Sequence, residues 1–146
     1  MGRAKEADPG GLPGRESAVI FVDSNIFIYA VGRPHPLREE AQSFFLETRE
    51  AGKRLVTSAE VLQELLHVYL PVGRTETLDA ALNLATQGVD EVISIDQETV
   101  LVARALIDRY PGLTARDLIH LAVCQMHKIP ELMTFDRNLR AVFNRG

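Results

Sequence analysis

Short apolar runs alternate along this chain with longer stretches in which apolar residues recur at helical spacing. Val19-Ile20-Phe21-Val22 is four apolar residues in a row, closed by Asp23. Such a run suits a strand covered on both faces, as in a parallel sheet. Three more runs occur further on: Leu55-Val56-Thr57, Val92-Ile93-Ser94-Ile95 and Leu132-Met133-Thr134-Phe135, the last closed by Asp136. Between them the spacing predicts helices over 24–31, 37–51, 58–70, 75–86, 96–110 and 114–128, with a short one over 137–143. The punctuation agrees. Pro34 and Pro36 separate the first two helices, Gly52 ends the second, and Ser58 is placed to cap the third, which Pro71 stops. Gly88 closes the fourth, Asp96 can cap the fifth, Pro111-Gly112 ends it, and Thr114 opens the sixth.

Strands alternating with helices predict an α/β domain with right-handed crossovers and a mostly parallel sheet covered on both sides. Residues 1–17 are rich in Gly, Pro and charge and predict a flexible tail ahead of one domain over 18–146. With 46% of the 146 residues apolar, that domain can fill a core without staples. Open sheets of this kind bind ligands just beyond the carboxyl ends of their strands, so the first residues after each strand are the ones to inspect.

Asp23 is delivered to that edge by four apolar residues and precedes Ser24-Asn25. It reads equally as a metal or phosphate-site acid and as a helix N-cap. Asp136 repeats the arrangement and could also cap the helix at Arg137. Thr114-Ala115-Arg116-Asp117 has the form of a capping box, yet Asp117 heads an apolar row with Leu121 and Cys124 on a helix that is apolar nearly all round. A carboxylate at the end of a buried row needs a cation or hydrogen-bond donors. Glu64 lies at the edge of the face formed by Val61, Leu62, Leu65, Leu66 and Tyr69, where pattern alone makes it a surface acid; Glu60 and His67 lie further round and read as solvated. Asp96, before Gln97-Glu98, reads as a plain cap.

Clustered acids suit hard divalent cations such as magnesium or manganese, which take oxygen ligands. Such an ion polarises a phosphodiester and reverses the field that phosphate meets. That matters here, because the formal charge of −4 does not advertise a nucleic-acid binder. The other usual chemistries lack their residues. There is no Gly-rich phosphate loop, no His-Glu-x-x-His, and no nucleophile elbow around Ser24, Ser58 or Ser94. His120 and His127 read as residues of a packed helix face rather than catalysts. The single Cys124 sits among Leu121, Ala122 and Val123, reads as a small core residue, and fits a reducing compartment. No apolar run reaches membrane-span length and the N-terminal stretch lacks a signal peptide's apolar core, so the expected location is the cytoplasm.

Four pieces in order carry a resemblance: Val19-Ile20-Phe21-Val22-Asp23-Ser24-Asn25, Thr57-Ser58 through Leu62-Gln63-Glu64-Leu65, Ala115-Arg116-Asp117-Leu118-Ile119-His120-Leu121-Ala122, and Met133-Thr134-Phe135-Asp136. Over about residues 18–143 the chain resembles the PIN-domain ribonucleases, especially the VapC-type toxins of toxin–antitoxin modules. The resemblance implies a three-layer α/β/α fold around a mostly parallel five-stranded sheet. It assigns the catalytic, metal-holding cluster to Asp23, Glu64, Asp117 and Asp136, which moves Glu64 from surface acid to ligand. Ser24, Asn25 and Thr134 match positions beside those acids. It also implies magnesium or manganese, an RNA substrate, a homodimer and a cognate antitoxin protein. The long N-terminal tail departs from the family and has no assigned role.

The leading expectation is therefore metal-assisted RNA hydrolysis, with Arg116 and Arg137 beside the acids as phosphate contacts or as surface ion-pairing residues. A non-catalytic PIN scaffold that binds RNA or a partner protein is the alternative. A phosphotransfer domain using Asp23 is a third reading, but Asp23-Ser24-Asn25 lacks the second acid of an Asp-x-Asp pattern.

Overall fold

The computed structural model describes residues 19–145. The tail expected at 1–17 lies outside the described residues. Strand β1 is Val19–Val22, with helices α1 (Ser24–Ala30) and α2 (Pro36–Glu50) after it. Strand β2 (Arg54–Ser58) leads to α3 (Ala59–Tyr69), a 3-10 turn (Leu70–Val72) and α4 (Thr75–Gln87). Strand β3 (Glu91–Ile93) precedes α5 (Gln97–Leu106) and α6 (Ala115–Met126), and β4 (Glu131–Met133) precedes α7 (Arg137–Arg145).

The sheet has four strands in the order β3-β2-β1-β4, and every pairing is parallel. The apolar runs identify these four; the fifth strand implied by resemblance is absent among the described residues. In β1, Phe21 and Val22 point to opposite faces yet both are fully buried, so helices cover the sheet on both sides. One buried cluster joins β1 and β2 to α1, α3 and α4; a smaller one joins α5, α6 and α7 through Ala103, Leu118, Leu121, Leu139 and Val142.

Most boundaries obey the punctuation. Gly52 takes a left-handed backbone (φ +69) after α2, and the turn carrying Pro71 closes α3. Two details differ. Ser58 stands in the extended backbone of an N-cap but makes no capping bond with its side chain. Helix α5 ends at Leu106 rather than Tyr110, since Asp108 and Arg109 bring no apolar face and Pro111 disfavours helical backbone before it. Cys124 is buried and its thiol is pushed up to about 12 by that burial, which leaves it a packing residue.

Candidate active site

Strand β1 sits between β2 and β4, and its ladder carries on one residue past its end: the Asp23 N–H donates to the Met133 carbonyl at 3.0 Å. Asp23 is thus fixed at the centre of the carboxyl edge, only 4% exposed. One of its oxygens, Oδ1, accepts from the Ser24 N–H at 2.7 Å, and Oδ2 accepts from the Thr134 hydroxyl at 2.7 Å. It caps α1 and belongs to a buried polar group at the same time.

Glu64 reaches Asp23 from α3. It is 6% exposed, so the edge-of-core position read from the sequence is a buried one. The Ser24 hydroxyl donates to its Oε2 at 3.2 Å, and the Arg116 guanidinium lies 3.5 Å from the same oxygen. On the other side, His120 Nε2 lies 2.9 Å from Glu64 Oε1 and 3.4 Å from Asp23 Oδ1. Asp23, Glu64 and His120 each offer a ligand atom within 4.8 Å of the others.

Thr134 and Asn25 hold the β4 side of the site. The Asn25 amide donates to Thr134 Oγ1 at 3.2 Å, and the Asp136 N–H donates to the same oxygen at 3.0 Å. With two donors already aimed at it, the hydroxyl has its own hydrogen left for Asp23 alone. Asn25 Oδ1 accepts from the Phe135 N–H at 3.1 Å, and the Arg140 guanidinium donates to the Thr134 carbonyl. Asp136 caps α7 by accepting from the Leu139 N–H at 3.1 Å, as the capping reading expects.

Asp117 lies half-buried in the first turn of α6, held by the Thr114 hydroxyl, which accepts from its N–H at 3.2 Å. Burial raises its carboxyl above the usual range and the charge of Asp136 adds to that; the Thr114 hydroxyl and His120 pull the other way. Asp117 and Asp136 are near enough to feel one another, but neither joins the 4.8 Å group of Asp23, Glu64 and His120. Arg116 and Arg137 are exposed at the starts of α6 and α7.

Three residues differ from their sequence reading. Glu60 is only partly exposed, and its carboxyl is raised by burial and by Glu64, with His120 and Arg116 opposing. It lies in the first turn of α3, where a helix starting at a sheet edge turns more than one side toward that edge. His127 caps the end of α6 and is exposed, so it lines no packed face. His120 is packed and 1% exposed, but it also touches both central acids. Burial lowers its pKa, and the hydrogen bond to Glu64 with the charges of Asp23, Glu64 and Asp117 outweighs burial and raises it. One signal was legible: His120 stands three residues after Asp117, on the same helix face.

This donor set suits a divalent cation. Two buried carboxylates share one pocket, a third is raised by its burial, and the only guanidinium ion-paired to the group among the described residues is half exposed. Fold and site together define an α/β domain with an acidic centre at the carboxyl edge of its sheet, and the PIN domain model matches residues 20–143.

The chain belongs to that family, on its VapC branch. It is 50% identical over 125 residues to Ribonuclease VapC23 of Mycobacterium tuberculosis, a match that spans 86% of this chain and 98% of that protein. It is 44% identical over 119 residues to the VapC ribonuclease Mb1869c of Mycobacterium bovis, spanning 82% and 91%. Among solved structures, the Mycobacterium tuberculosis toxin VapC20, described as cleaving the sarcin-ricin loop, shares the fold with a TM-score of 0.71 at 19% identity, over 84% of this chain and 94% of that one. VapBC2 from Rickettsia felis, solved with a DNA fragment from its promoter, matches with a TM-score of 0.55 at 14% identity, over 81% and 99%. No helix among the described residues is long and apolar enough to cross a membrane.

Proposed function

We propose that this chain is a ribonuclease that hydrolyses RNA phosphodiester bonds with magnesium or manganese, and that it is the toxin of a toxin–antitoxin pair. The observation that carries the reading is the buried juxtaposition of Asp23 and Glu64, brought together from separate elements into one cluster with few cations to offset them. The names of the VapC relatives support the substrate class.

Asp23, Asp117 and Asp136 would hold the ion directly or through water, and Glu64 would complete the cluster. When bound, the ion offsets the acids and polarises the phosphodiester. The chain's own residues do the rest. Ser24, Asn25 and Thr134 hold the two central carboxylates in fixed orientations through the bonds described above. Glu64 orients the attacking water and takes its proton at Oε2, the oxygen nearest Ser24 and Arg116. The water oxygen bonds to phosphorus as the bond to the leaving sugar oxygen breaks, and the proton taken by Glu64 returns through solvent to that oxygen. Arg116 and Arg137, at the exposed rim, contact phosphates flanking the cut. The protein acts in the cytoplasm, as a homodimer silenced by its cognate antitoxin.

Purified protein is expected to cleave RNA with manganese and to stop when the metal is chelated. Calorimetry is expected to show divalent binding to the free protein. Cleavage that continues in excess chelator, or a protein that binds no divalent ion, would overturn the reading, the second outcome in favour of a non-catalytic scaffold.

A further inference from the structure

Of all the groups around the acids, His120 has the least ordinary surroundings. It is only 1% exposed, and its ring packs on Phe21 with centroids 5.4 Å apart. Its two nitrogens meet opposite environments. Nε2 faces oxygens only, Glu64 Oε1 at 2.9 Å and Asp23 Oδ1 at 3.4 Å. Nδ1 is buried and has no hydrogen-bond partner among the described residues.

That asymmetry settles where a hydrogen sits. A neutral imidazole carries one N–H and one lone pair. A hydrogen on Nδ1 would be a buried donor with no acceptor, while the lone pair of Nε2 faced the lone pairs of two carboxylates; both are costly. A hydrogen on Nε2 removes both costs. In the imidazolium form Nε2 carries a hydrogen as well. The same reasoning argues against His120 as a metal ligand. A ligating imidazole nearly always donates its other N–H to a partner, and Nδ1 has none among the described residues.

We propose that His120 is a positioning residue: its Nε2–H donates to Glu64 Oε1, with Asp23 Oδ1 alongside, and fixes the orientation in which these two carboxylates receive the cation. The role rests on the ribonuclease reading above. With Oε1 held by His120, Glu64 presents Oε2 to the substrate side. The ring does not enter the coordination sphere and touches no reacting atom.

Two measurements test this. The first reads the imidazole nitrogens of the folded protein by long-range proton–nitrogen NMR, without metal and then with magnesium. Nε2 is expected to keep its hydrogen in both states. A lone-pair Nε2 in either state overturns the proposal, and this outcome does not depend on RNA cleavage. The second compares His120→Leu with His120→Gln, whose amide can place a donor near the Nε2 position. His120→Leu is expected to weaken magnesium binding, by calorimetry, and RNA cleavage by about 10–100-fold, the usual range for a residue that orients metal ligands. His120→Gln is expected to recover most of both. Wild-type values in His120→Leu, or a His120→Gln variant that folds but is as poor as His120→Leu, overturn the proposal. If the wild type neither binds magnesium nor cleaves RNA, the ribonuclease reading fails, and the nitrogen spectrum of the metal-free protein still decides where the His120 hydrogen sits.

Discussion

Asp23 and Asp96 occupy the same place in the local grammar of the chain, since each comes after a strand and caps the next helix. Their surroundings have little else in common. Asp96 is exposed and completes a capping box, accepting from the Thr99 N–H at 2.9 Å and the Thr99 hydroxyl at 2.8 Å. Asp23 is buried, and its contacts come from α1, α6 and the residues after β4. The difference lies in the sheet order. Strand β3 is at the edge remote from β1, and the residues leaving it are exposed or half-buried; β1 has a strand on each side, so the residues leaving it meet other side chains. A strand–Asp–helix pattern therefore specifies a cap, and nearness to the end of β1 decides whether that cap also faces the acids: Asp136 follows β4, an edge strand too, but one paired with β1.

Substitutions can break this contrast. The largest effect is expected from Asp23→Asn, which should take RNA cleavage to background in a steady-state assay with manganese; Asp96→Asn should leave the rate unchanged. Cleavage that survives Asp23→Asn would remove the distinction between the two positions. Next, Thr134→Val keeps the shape of the side chain but deletes the hydroxyl that holds Asp23. It should cost about 10–100-fold in activity, with Thr134→Ser near the wild-type rate. An unchanged Thr134→Val would mean that Asp23 needs no such support. Third, Asp96→Ala removes a cap and nothing else, so its melting temperature should fall by a few degrees while cleavage of RNA is unaltered.

The smallest effects separate the two settings by pH, in metal-free protein. Asp96 is lowered, foremost by its backbone bond from Thr99, so its stabilising contribution is present above the usual carboxylate range and is lost as pH falls through its folded value. Asp117 is raised, foremost by burial, so the sign reverses: its contribution is intact in acid and is lost as pH rises through its folded value. In chelator, Asp117→Asn should melt slightly above the wild type at neutral pH, with the gap closing in acid. Magnesium should invert that order. A gap that widened on acidification would show that Asp117 is not strained by burial.

Pattern alone exposed the four strands, the helices between them and the acids after β1 and β4, because short apolar runs and turn residues are local signals. It read Glu64, at the edge of the apolar face of α3, as a surface acid, whereas the side chain is buried; only the family resemblance named it as a candidate ligand. Nothing local says that α3 starts beside Asp23. His120 was missed for a related reason: it stands in an apolar helix, and a packing histidine and a histidine facing acids look alike until the opposite element is known. Resemblance also brought a fifth strand that the apolar runs did not contain. In each case the missing information was which elements are neighbours across the sheet.

The Asp23–Thr134 bond joins the first strand to the residues after the last, across 111 positions of sequence. A polypeptide made from its amino end exposes Asp23 early and completes that support only after β4 and the residues that follow it have been translated. Prematurely terminated products would leave the ribosome without the Thr134 anchor and without Asp136. On the ribonuclease reading, activity would thus be withheld until the segment after β4 has been made.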